Sequence, residues 1–136
     1  MPFLKQKDPS VPPGQTVTAG FPVLHVGDVP ETDLSTWSLR VSGLVAQERT
    51  FSWDDLHGLP VTDVTTDIRC VTKWSKFDTV WTGVKVADLF ARAGVRAEAT
   101  HVLAHAEYGY TANLPLADVV RDESMVVYAY DGGDIE

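Results

Sequence analysis

The sequence predicts an α+β domain dominated by β structure, and three observations carry that class. Runs rich in Val, Thr, Ile and Tyr alternate apolar and polar residues, as half-buried strands do. Stretches with a helical period are few and short. Clusters of Gly, Pro and Asp recur between the runs and close them.

Residues 1–36 are rich in Pro, Gly, Thr and Asp and show little periodicity. They read as an extended N-terminal arm that packs on the domain. Phe21, Pro22, Val23, Leu24, His25 and Val26 form its apolar anchor. From Trp37 the alternation begins. Residues 37–42 form a strand that Gly43 ends, and residues 49–51 form a second. Ser52 caps a short helix through Trp53, Asp54, Asp55 and Leu56, whose acids suit a helix N-terminus. Gly58 and Pro60 stop it.

Residues 61–70 are the next strand. Thr82 or Gly83 leads into a helix over residues 86–93, with Val86, Leu89, Phe90 and Ala93 on one face and Gly94 as its C-terminal cap. Residues 101–106 and 110–114 read as strands joined by Glu107, Tyr108 and Gly109. Residues 116–120 make one or two helical turns, and residues 125–130 a final strand. Asp131, Gly132 and Gly133 then open a hairpin that Asp134, Ile135 and Glu136 do not close. Residues 37–136 are therefore expected to be the N-terminal portion of a domain whose C-terminal part is missing.

The 136 residues suffice for one domain. The net charge of −8 argues against a nucleic-acid partner, which needs a basic footprint on one face. No run of about 18 apolar residues is present, so no transmembrane helix is expected. The first residues carry neither an apolar signal core nor a twin-arginine pair. A cytoplasmic location is the expectation, and a single cysteine agrees with a reducing compartment.

That cysteine, Cys70, ends an apolar, β-branched strand and stands among Arg69, Lys73 and Lys76 in an otherwise acidic chain. The cations favour the thiolate, the form that is both nucleophile and metal ligand. By residue type alone, a lone cysteine on a strand is a small buried hydrophobe. A cysteine hydrolase has no local signature here, and no second cysteine stands at zinc-ligand spacing. His101 and His105 fall in a strand-like segment, where i and i+4 lie about 13 Å apart, too far to share a metal. Trp37 and Trp53 read as core packing, while Trp74 and Trp81 follow the cysteine in a single loop and wall a pocket.

Taken together, these residues resemble the sulfite oxidase-like molybdenum oxidoreductases, and within them the single-domain branch that includes the catalytic subunit of the bacterial methionine sulfoxide reductase. The core of the likeness is Ile68, Arg69, Cys70, Val71, Thr72, Lys73, Trp74 and Ser75, followed by Trp81, Thr82, Gly83 and Val84. The stretches 37–43, 51–56, 110–116 and 127–132 extend it.

The resemblance implies a β-rich molybdopterin-binding fold with mixed sheets and short helices. It implies Cys70 as molybdenum ligand, with Arg69 and Lys73 shaping an anionic pocket and His25 and His105 as cofactor contacts. The cofactor so implied is molybdenum-molybdopterin. It is expected in the intact protein and absent from this chain, because the family's glycine-, arginine- and lysine-bearing completion lies beyond Glu136. The implied substrate is a small S- or N-oxide or a sulfite-like molecule, with a separate haem or flavin protein as electron partner. Two other readings stay open: a cofactor-free binding module of the same fold, and a thiol-redox protein using Cys70 directly.

Overall fold

The computed structural model describes residues 10–25 and 27–135. In chain order its elements are β1 (Thr16–Val17), β2 (Ser38–Val41), β3 (Arg49–Ser52), α1 (Trp53–His57), β4 (Thr62–Arg69) and β5 (Trp74–Lys85). Then come α2 (Val86–Ala93), β6 (His101–His105), β7 (Thr111–Pro115), α3 (Leu116–Val119), β8 (Met125–Tyr130) and β9 (Gly133–Asp134). The class is α+β and β-rich, with mixed sheets and short helices. No helix among the described residues is long and apolar enough to cross a membrane.

The 12-residue strand β5 organises the molecule. On one edge it pairs antiparallel with β4; on the other it takes β1 in parallel at its start and β8 antiparallel at its end. Ser75 shows the arrangement, facing Arg69 across one ladder and Val17 across the other. Two smaller antiparallel sheets, β2–β3 and β6–β7, complete the strands.

β5 overturns the expectation of a loop through Trp74 and Trp81, since both lie in this strand. Lys76, Asp78 and Gly83 break its apolar pattern, but ladders on both edges hold it extended. Its buried hydroxyls are paired. Thr79 Oγ1 donates to the Thr66 carbonyl and accepts from Trp81 Nε1 at 2.8 Å.

The main core lies toward the far end of β5 from Cys70. Phe51, Leu56, Leu59, Val84, Leu89 and Tyr128 form it, with Trp37 and Trp53 packed against it. Those two indoles meet edge to face at 5.6 Å, a packing role as expected. Ser52 caps α1 through a full capping box: its hydroxyl accepts from the Asp55 N–H, and its own N–H donates to the Asp55 carboxylate at 2.8 Å. Gly94 closes α2 at φ +68, in the left-handed region.

The arm carries β1; of its expected apolar anchor, Val26 lies outside the described residues and Phe21 makes the ring contacts. Phe21 packs on Trp74, Trp81 and Tyr130 at 5.3–5.9 Å, whereas Val23 and Leu24 are exposed. At the other end, Asp131 and Gly132 take positive φ and turn β8 back into β9. The expected open hairpin thus closes over two residue pairs, Ala129 with Asp134 and Tyr130 with Gly133.

Candidate functional site

Cys70 occupies the tight connection between β4 and β5. The Lys73 N–H donates to the Cys70 carbonyl at 3.1 Å, and the Cys70 N–H donates to the Trp74 carbonyl at 3.0 Å. Lys73 sits at φ +72. This is a three-residue hairpin loop ending in a left-handed residue, a position that suits Gly and costs an L residue about 1 kcal/mol.

The turn folds its donors toward the sulfur. Thr72 Oγ1 donates to Cys70 Sγ at 3.1 Å. That hydroxyl, then the Thr72 backbone N–H, hold the thiol below its ordinary pKa against desolvation, with the Val71 N–H contributing least. The cations credited from sequence are not the cause; the turn itself is. Cys70 is free and half-buried, so the sulfur is reachable.

Arg69 is committed elsewhere. Its guanidinium pairs with Asp67 at 3.2 Å, donates to the Ser10 carbonyl at 3.3 Å and lies 5.7 Å from the centre of the Phe77 ring. The exposed Lys73 side chain makes no hydrogen bond or ion pair among the described residues, so its charge is available at the turn. His25 is exposed and donates from Nδ1 to the Gly27 carbonyl at 2.9 Å, which leaves Nε2 as its open nitrogen. His105 is exposed at the end of β6, opposite Thr111. No hydrogen bond, ion pair or ring contact among the described residues joins either histidine to the Cys70 turn. Arg69, Cys70 and Lys73 therefore come together, while His25 and His105 stand on separate segments.

Sequence reasoning missed three contributors. Thr72, two residues after the thiol, is a type that bonds back locally and was readable as such. Gln15 and the fully buried Ser75 hold the turn from the arm and from β5, and nothing local signals that pairing. Of the two tryptophans expected to wall a pocket, Trp81 lines a shallow cavity of about 310 Å³ with Val64, Ile68, Met125 and Val127. Trp74 packs under Phe21, and its buried Nε1 has no hydrogen-bond partner among the described residues.

No cluster of three or more His, Cys, Asp and Glu side chains able to hold a metal occurs among the described residues. Cys70 offers one soft sulfur donor. A bare zinc ion needs three or four protein donors. One thiolate fits a sulfur-preferring metal whose remaining donors arrive on a chelating cofactor.

Comparison with known proteins gives the family. The family model described as an oxidoreductase molybdopterin binding domain matches residues 26–136. The chain belongs to this family. It is thus an oxidoreductase molybdopterin binding domain.

Over 131 residues the domain is 47% identical to the uncharacterized oxidoreductase YuiH of Bacillus subtilis, covering 94% of this chain and 66% of that protein. Over 123 residues it is 30% identical to a putative protein-methionine-sulfoxide reductase subunit, YedZ1, of Azospira oryzae, covering 88% of this chain and 47% of that one. The chain thus spans about two thirds of the first relative's length and about half of the second's. Among solved structures, the sulfane dehydrogenase SoxCD of Paracoccus pantotrophus superposes with a TM-score of 0.69 at 21% identity, over 79% of this chain and 32% of that one. That likeness shows the fold.

Proposed function

We propose that this domain carries the metal-ligating half of a molybdenum oxotransferase site, with the Cys70 thiolate as the protein's ligand to molybdenum. The observation that carries it is the Cys70 turn: a reachable sulfur whose anionic form is favoured by the Thr72 hydroxyl and two backbone N–H groups. When bound, the cofactor supplies two-electron transfer of an oxygen atom to or from a sulfur or nitrogen centre.

The chain's own residues do the rest. The β4–β5 hairpin fixes the direction of the sulfur, and the Thr72 hydroxyl favours its anionic form. Lys73 offers a charge to the anionic groups of the cofactor. Arg69, bound to Asp67 and Ser10, braces the base of the turn. The open Nε2 of His25 and the exposed His105 are further cofactor contacts in this reading. The substrate is a small S- or N-oxide or a sulfite-like molecule, and a separate haem or flavin protein exchanges the electrons.

The test is metal content and pterin fluorescence of the full-length protein made in a host that synthesises molybdopterin. The wild type should carry molybdenum, with a protein sulfur in its coordination shell by X-ray absorption. Cys70→Ser should lose that sulfur and the turnover. Wild-type protein with neither molybdenum nor pterin would end the reading, as would an unchanged coordination shell in Cys70→Ser.

A further inference from the structure

Residues 10–18 run along the Cys70 hairpin and hold it at four places. Arg69 donates to the Ser10 carbonyl at 3.3 Å. The Thr16 N–H donates to the Lys73 carbonyl, and the Thr18 N–H to the Ser75 carbonyl, each at 2.9 Å. The fourth hold is Gln15. Its Nε2 donates to the Cys70 carbonyl at 2.9 Å, while its Oε1 accepts from Ser75 Oγ at 2.9 Å.

Ser75 is fully buried, so its hydroxyl needs a partner inside the protein, and Gln15 supplies it. A primary amide offers donor and acceptor at once without charge. One side chain therefore ties the residue bearing the thiol to the buried start of β5. The family model begins at residue 26, so this strap lies outside the matched region.

We propose that Gln15 is the positioning residue of the Cys70 site, holding the turn so that the sulfur stays under the Thr72 hydroxyl and faces its ligand in one geometry. The proposal rests on the ligand reading only for the use made of the sulfur; the strap itself is read on the metal-free chain. Releasing the Cys70 carbonyl removes one of the four holds on the turn that carries the Thr72–sulfur bond. The charged groups about the thiol are Arg69 and Lys73 on its own hairpin, with Asp67 holding Arg69. Residues 10–18 bring no titratable side chain, so removing Gln15 changes geometry and not local charge.

Cys70 is the only cysteine, so thiol alkylation, located by peptide mass, reports on it alone. The experiment is the rate of iodoacetamide alkylation against pH for the metal-free chain, in wild type, Gln15→Ala and the length-matched Gln15→Met. Both variants should show the profile displaced to higher pH, with the rate at neutral pH reduced by about threefold or more, because less thiolate is present. Circular-dichroism melting checks that they fold. A folded variant with the wild-type pH profile would overturn the proposal. So would unfolding of both variants, which would make Gln15 a purely structural residue. The molybdenum content of Cys70→Ser tests the ligand reading separately, and neither result decides the other.

Discussion

Gly83 of β5 and Val126 of β8 meet backbone to backbone. A Cβ on Gly83 would overlap the Val126 carbonyl oxygen and stand 2.7 Å from Val127 Cα. The contact lies where the β5–β8 register shifts, between Thr82 and Gly83. Gly83 is thus required by close approach of two strands, the role its place after Trp81 and Thr82 does not reveal.

Gly83→Ala is therefore expected to part the β5–β8 ladder. A loss of about 3 kcal/mol is the scale for overpacking a buried backbone contact. Urea titration of the variant against wild type measures it, and an unchanged midpoint would contradict the close approach.

Leu56 and Val71 make a matched pair of opposites. Leu56 is 0% exposed in the main core, and Val71, at the tip of the Cys70 turn, is 93% exposed. Leu56→Ala should cost about 2–5 kcal/mol through lost transfer energy and a residual cavity. Val71→Ala should stay within about 0.5 kcal/mol of wild type by the same titration.

The α1 cap gives a pH-dependent prediction. The Ser52 backbone N–H, then its hydroxyl, hold the Asp55 carboxyl below its ordinary pKa. A carboxyl depressed in the folded state stabilises above the unfolded pKa and loses that contribution as pH falls through its folded value. Asp55→Ala should thus melt lower than wild type at neutral pH, with the gap closing once both are acidified below the carboxylate range. Ser52→Ala should cost about 1 kcal/mol at neutral pH. A gap that persists undiminished in acid would show the carboxylate charge to be irrelevant.

Thr72→Val removes the hydroxyl from the sulfur while leaving the turn's backbone bonds in place. Its Cys70 alkylation profile should move to higher pH, with melting unchanged because Thr72 is exposed. An unmoved profile would return the credit for the acidic thiol to Arg69 and Lys73.

Those outcomes also mark where the sequence speaks. The α1 cap, the 86–93 helix with Gly94 behind it and the 125–130 strand were legible because each is written in adjacent residues. β5 was not, since Lys76, Asp78 and Gly83 break its pattern and only pairing along both edges makes it a strand. Within the site, Cys70 announced itself by its flanks and by family likeness. The source of its acidity did not, because charge is visible in a sequence and the direction of a hydroxyl is not. Gln15 sits in a Pro- and Gly-rich stretch and finds its partner 55 residues later, a distance that no local pattern spans.

That separation has a consequence during synthesis. Residues 10–18 leave the ribosome well before residues 69–75, and pairing so distant in sequence forms late because the intervening loop must first close. Cys70 is therefore made as an unstrapped thiol and acquires its final setting only when the arm docks on the hairpin. A nascent domain released before that step would carry the Cys70 sulfur without the geometry that holds it.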